Sequence, residues 1–325
     1  MAENEKIINL LRELVEIESP SKKEDKIIIF VRDYLKNLGY DVVVGKNYIA
    51  TKSNSDIIVA THLDTVPIRE KYSDDGEYAY GTGVCDAKGS VAAMLLAAEN
   101  NLDYTLVFLC DEEEDGLGSK EFINCWDQGK YAIIMEPSDL KIASKHWGNF
   151  ELTVRVQGKQ AHGSLPEKGV NAIDKAWELY NKLKGLNLNI NPLKISGGSE
   201  EYVIPDHCVI KFEFFLKPEE KFSNYVDKFK FLKNFGEYEI DHVYEGCISG
   251  KVTHYLEQAL IDAKLPVRYT TIKSWTDALN LKEKFDVVVW GPGELYLCHT
   301  KEERIKIKDI KKASEVLVCL NQCRL

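Results

Sequence analysis

Apolar residues recur at helical spacing twice near the start of the chain, over residues 4–18 and 22–38, which predicts two amphipathic helices. Ser21 with Glu24 reads as a capping box opening the second, and Gly39 as its stop. Beyond Gly39 the period changes. DVVVG, NYIATK, DIIVATH, YTLVFLC and YAIIME are short, β-branched and almost continuously apolar, as strands buried on both faces are. Between the third and fourth, SVAAMLLAAE is apolar on nearly every side, so its helix must be covered by other elements. The pattern predicts an α/β fold, a mostly parallel sheet with helices on both faces.

From about residue 149 the pattern becomes strand FELTVRVQG, helix 171–184, strand PLKISGG, strand CVIKFEFFL, a helix after Pro218, and strand EYEIDHV. That order, β-α-β-β-α-β, is a split unit expected as an inserted domain. From about residue 251 the α/β pattern returns, ending in a helix over residues 308–321. The expected organisation is therefore a catalytic domain built from residues 1–148 and 251–325, interrupted by a lid or dimerisation domain over residues 149–250.

The 325 residues suit two domains, and 44% hydrophobic with 29% charged residues is a globular composition. A formal net charge of -10 argues against a general role on nucleic acid or anionic lipid. No apolar run reaches membrane-spanning length, and the charged start MAENEKIINLLREL is unlike a secretory leader, so the expected location is the cytoplasm. The cysteines at 85, 110, 125, 208, 247, 298, 319 and 323 form no CxxC pair and read mostly as buried thiols.

The strands end on unexpected residues. DIIVATH runs into His62-Leu63-Asp64, YTLVFLC into Asp111-Glu112-Glu113-Glu114, and YAIIM into Glu136. Ligands of open α/β sheets gather at the carboxyl ends of strands. In GTGVCDAKGS neither phosphate-loop pattern fits, because Lys88 precedes Gly89 and the glycine fingerprint lacks its third member. That loop offers Asp86, whose alternative role is a helix N-cap. His299 follows Gly291-Pro292-Gly293 in GPGELYLCHTKEE. His62, Asp86, Glu113, Glu136 and His299 exceed one four-ligand site, but if Asp86 bridges, each of two metals receives a histidine, a terminal carboxylate and the shared one. The adjacent acids at 112 and 113 allow one to bind metal and the other to move a proton.

The ordered set HLDTVP, GTGVCDAKG, DEEEDGLGSKEF, MEPS, QAHGSLPEKGVNAI and GPGELYLCHT resembles the M20 metallopeptidases, which include acetylornithine deacetylase, succinyl-diaminopimelate desuccinylase and the hydrolase of carrier-protein-bound lysine. The resemblance covers nearly the whole chain. It implies a zinc-peptidase-like catalytic domain in which His62, Asp86 and Glu136 hold one zinc and Asp86, Glu113 and His299 the other, with cobalt or manganese as substitutes. It further implies that Glu112 is the general base, that Asp64 supports His62, and that the Asp86-Ala87 peptide is cis. His162, in the loop GKQAHGSLP, is implied to stabilise the oxyanion in a partner subunit's site within a homodimer formed through the lid domain. Thr276 and Asp277 of SWTDA are implied to line the site.

Two positions depart from the family pattern. Tyr202 in EEYVIPD stands where many amino-acid deacylases have asparagine, and Phe215 in FEFFLKP where they have an arginine that clamps a carboxylate. The leading expectation is a deacylase of N-acylated amino acids or isopeptides, of the kind found in lysine and ornithine biosynthesis, acting on a small molecule or on an amino-group carrier protein. A dipeptidase or carboxypeptidase, an inactive metal-binding relative and a nicotinamide-dependent oxidoreductase are the competing readings.

Overall fold

The computed structural model describes residues 2–322, so Cys323 lies outside the described residues. The chain divides into two compact units. One comprises Met1–Lys145, Ser249–Ile272 and Thr276–Leu325, and the other His146–Ile248 with Lys273–Trp275.

Across the main sheet of the first unit the strands run Val42–Val44, Tyr48–Thr51, Thr105–Leu109, Ile57–His62, Tyr131–Ile134, Asp286–Val289 and Ile142–His146. The four strands from Thr105–Leu109 to Asp286–Val289 are mutually parallel, and antiparallel strands flank them. Every residue of Ile57–His62 and Thr105–Leu109 is buried, which explains their unbroken apolar runs. Helix Lys88–Ala98 is buried on almost all sides, packed against helices Ala2–Glu16 and Ile307–Leu320. A small antiparallel sheet, absent from the hydrophobic pattern, joins Ser73–Asp74, Tyr78–Tyr80 and Arg304–Lys306. No helix among the described residues is long and apolar enough to cross a membrane.

The second unit carries a four-stranded antiparallel sheet in the order Asn189–Gly197, His207–Leu216, Gly148–Gln157 and Gly236–Tyr244. Strand His207–Leu216 alternates strictly, with Cys208, Ile210, Phe212, Phe214 and Leu216 turned into the core against helix Ala172–Lys184. Asn171 caps that helix, its side chain accepting the Ile173 and Asp174 amides. The expected helix after Pro218 is instead 3-10, over Phe222–Asn224 and Val226–Asn234. Ser223 and Asn224 favour local backbone bonds over a continuous α-helix, and the buried Phe229 and Leu232 suit the tighter three-residue repeat.

Candidate metal centre

The parallel register sets the site. His62 pairs with Leu109 and Ala60 with Ile134, so His62, the acidic loop after Leu109 and Glu136 emerge at the carboxyl ends of three adjacent strands. Asp86 arrives from the loop before helix Lys88–Ala98. Its peptide bond to Ala87 is cis, and the helix cap is Ala87, so Asp86 is not the N-cap. His299 follows the 3-10 turn Leu295–Leu297 in the left-handed region, with φ 62°.

These residues converge into two groups that share one member. Ligand atoms of His62, Asp86 and Glu136 lie within 4.8 Å of one another, as do those of Asp86, Glu113 and His299. His62 Nε2 is 3.0 Å from Asp86 Oδ1 and 3.7 Å from Glu136 Oε2. On the other side, His299 Nε2 is 2.9 Å from Glu113 Oε1 and 3.3 Å from Asp86 Oδ2. Glu136 Oε1 is buried without a hydrogen-bond partner among the described residues, an omission that costs about 1–3 kcal/mol. A cation would relieve it, and the imidazole and carboxylate donors suit divalent metals, so the residues fit a two-metal centre. A third acidic group, Asp111, Glu114 and Asp115, surrounds Lys22, whose Nζ lies 2.6 Å from Glu114 and 2.9 Å from Asp115. That ammonium already offsets part of its charge.

Asp64 does more than support His62. Its main-chain oxygen lies 2.9 Å from His62 Nδ1, which turns Nε2 toward Asp86 and Glu136. Its carboxylate accepts the Glu112 amide at 3.0 Å, the Glu113 amide at 3.1 Å and the Ser21 hydroxyl at 2.7 Å. Ser21 is therefore no helix cap, and the helix it precedes, Asp25–Asn37, has no side-chain cap bond. Glu24 likewise leaves the capping role, its buried carboxylate accepting the Asp111 amide at 2.9 Å. The capping pattern concealed a segment that braces the acidic loop.

Glu303 was also hidden in the sequence. Its carboxylate, 2% exposed, accepts the main-chain amides of Cys85 and Asp86 at 3.0 and 3.2 Å. Flanked by Glu302 and Arg304 it reads as solvated, yet it occupies the inward phase of an alternation with Ile305 and Ile307, all three buried. Cys85 and Cys298, neighbours of Asp86 and His299, are buried with their sulfurs 3.5 Å apart.

Of the remaining expected residues, Thr276 and Asp277 are buried, and the Thr276 hydroxyl accepts the Ala278 amide. Asp277 adds its charge to the acidic cluster, and burial pushes its own carboxyl up to about 7. His162 and Tyr202 belong to the second unit, where their rings meet edge to face at 5.5 Å and both are exposed. Phe215 lies on the strand face opposite the core residues Phe214 and Leu216.

Burial raises Glu112 well above the ordinary carboxylate range, reinforced by Glu136, Glu113 and Asp277. It also raises Glu113, and Glu136 to about 7. His299 is raised to about 10 by Asp86 and Glu113. Burial would lower His62, but Glu136, Glu112, Asp64 and Asp86 more than reverse it. Carboxyls raised above 4.5 favour the folded state while protonated, a contribution lost as pH climbs through about 7. The imidazoles act in the same sense, their contribution complete below 6.5 and lost toward about 10. Asp64 and Asp86, held below 3.8, add stability only above their own low range and are constant across this window. The melting temperature of chelator-stripped protein should therefore fall from about pH 5 to about pH 10, while metal affinity rises as ligand protons leave. Scanning calorimetry of both forms across that range checks this, and a stripped form that gains stability with pH would refute it.

The sequence profile described as peptidase family M20/M25/M40 matches residues 58–322. An uncharacterised metallohydrolase of Methanocaldococcus jannaschii is 27% identical over 96% of this chain and 98% of its own length. A LysW-lysine/LysW-ornithine hydrolase of Sulfurisphaera tokodaii is 28% identical over 94% of this chain and 92% of its own. Among solved structures, a tripeptidase of Staphylococcus aureus superposes with a TM-score of 0.84 at 21% identity, covering 98% of each chain. A dinuclear metal-binding M20 peptidase of Bacillus subtilis gives 0.76 at 15% identity, again over 98% of each. With the profile spanning most of its length, and both ligand groups inside the matched region, the chain belongs to peptidase family M20/M25/M40, a family of metal-dependent hydrolases.

Proposed function

We propose that the chain hydrolyses the amide bond of an N-acylated amino acid or related isopeptide at a centre of two zinc ions, for which cobalt or manganese can substitute. The observation that carries this reading is that Asp86 belongs to both ligand groups, with the carboxyl of Glu112 buried beside them. His62, Asp86 and Glu136 hold one metal, and Asp86, Glu113 and His299 the other. When bound, the metals polarise the amide carbonyl and acidify the attacking water. Glu112, buried next to the ligand Glu113, accepts the proton of that water and returns it to the leaving amine. Asp64 keeps Glu112 and Glu113 in register through their amides.

His162 supplies an oxyanion donor to the site of a partner copy. The Ser164 main-chain N–H donates to His162 Nδ1 at 3.3 Å, so in the neutral ring Nε2 carries the hydrogen that is offered outward. The dimer is supported by the edge strand Asn189–Gly197 of the second unit, which is exposed almost throughout and carries Leu193 and Ile195 beside the exposed Trp177. Mixing His162→Ala with Glu112→Gln protein should restore about a quarter of wild-type activity, since half of randomly formed dimers contain one complete site. No recovery after verified subunit exchange would place the donor within one chain.

The substrate reading rests on the likeness to LysW-lysine/LysW-ornithine hydrolases and on Phe215 in place of a carboxylate-clamping arginine. It favours acetyl-lysine, acetyl-ornithine or a carrier-linked lysine over succinylated substrates. A peptidase is the second reading, supported by the fold shared with the tripeptidase. Stripped protein reloaded with zinc or cobalt should cleave the acetylated amino acids in preference to di- and tripeptides. The opposite preference would establish the second reading.

A further inference from the structure

We infer that Glu303 is a positioning residue for the metal centre, one side chain that ties the loop of the bridging Asp86 to the loop of His299. The inference rests on the two-metal reading above. Strand Arg304–Lys306 pairs antiparallel with Tyr78–Tyr80, Arg304 opposite Tyr80, which brings Glu303 alongside the start of the loop that leads to Asp86. The Gly81 amide donates to the Glu303 main-chain oxygen at 3.2 Å, fixing the near end of that loop. At the far end both the Cys85 and Asp86 amides donate to a single atom, Glu303 Oε1. Glu303 thus holds both ends of a loop that is otherwise anchored by the Thr82 amide to Glu70, the Val84 amide to Gly81 and the Lys88 amide to Gly83, none of which reaches Cys85 or Asp86.

Glu303 also follows the histidine closely in the chain. It closes the turn after His299, its amide donating to the Thr300 main-chain oxygen, while the Thr300 hydroxyl donates to Leu297 at 2.7 Å. Asp86 and His299 lie 213 residues apart in the chain, and their 3.3 Å approach is needed only for the metal they share with Glu113. Glu303 makes that approach a property of one acceptor atom at one reach. The other metal shares Asp86 but draws its other two ligands, His62 and Glu136, from neighbouring strands framed by the sheet itself, whereas the first takes both Asp86 and His299 from loops that Glu303 holds. The loss of Glu303 reach should therefore weaken one metal far more than the other.

Two variants separate reach from charge. Glu303→Asp keeps the charge and withdraws the acceptor by one methylene, whereas Glu303→Gln keeps the acceptor where it is and removes the charge. Zinc uptake by full-length stripped protein, titrated against a chromophoric chelator, is the readout, with the melting temperature of each stripped protein beside it. Glu303→Asp is expected to keep one zinc near wild-type affinity and to bind the second about 10- to 100-fold more weakly. Glu303→Gln is expected to restore the second zinc. The inference is overturned if Glu303→Asp binds both ions as the wild type does, if Glu303→Gln fails like Glu303→Asp, or if both zincs weaken together with a lower melting temperature, which is the mark of a purely structural role. Wild-type protein that takes up fewer than two zincs would instead sink the two-metal reading, a failure visible without either variant.

Discussion

Glu112→Gln should lower kcat by about 100- to 10,000-fold while both metals stay bound. The glutamine amide fills the same buried space but cannot accept the proton of the attacking water or return it to the amine. Glu112 belongs to neither ligand group, so metal content is expected to be unchanged. Its carboxyl is confined with those of Glu136, Glu113 and Asp277, each raising its affinity for protons. Removing that charge relieves the confinement, and the stripped variant should melt no lower than wild type near neutral pH. Steady-state kinetics, metal analysis and a melting curve on one preparation test the three parts together. Wild-type turnover would remove Glu112 from the chemistry.

Asp86→Ala should have the larger effect on metal content, reducing about two ions per chain to fewer than one. Each half of the centre loses a carboxylate at once, leaving a histidine and one acid on either side. Glu113→Ala, by contrast, should cost mainly the ion shared with His299. Elemental analysis after gel filtration of the two variants, compared with wild type, reads the difference. Equal losses in both would mean that Asp86 serves a single metal and that the groups are not coupled through it.

Much of this centre was legible because apolar strands running straight into His62, Asp111–Glu113 and Glu136 defy the ordinary preference for polar residues in solvated turns. The helix Lys88–Ala98 was equally legible, its unbroken apolar character requiring cover on all sides. What escaped notice did so for physical reasons. Ser21 and Glu24 carry the spacing of a capping box, and only tertiary structure reveals that their oxygens face Asp64 and Asp111 instead. Glu303 sits among charged neighbours just before a strand of three residues, Arg304–Lys306, too short for the alternation to register. The 3-10 segment over Val226–Asn234 has the apolar content of a helix, and the choice between three- and four-residue closure lies in packing that a linear pattern does not encode.

The region matched by the family profile begins at residue 58, whereas the contacts of Ser21, Lys22 and Glu24 with Asp64 and the acidic loop come from before it. An engineer trimming the chain to the matched boundary would retain all five proposed ligands and the proposed base, yet remove the hydroxyl from Asp64, the acceptor from the Asp111 amide and the ammonium from three acids. Homology boundaries mark where descent is recognisable, and here the working unit extends past them by at least 37 residues, through strands Tyr48–Thr51 and Val42–Val44 and helix Asp25–Asn37 back to Ser21.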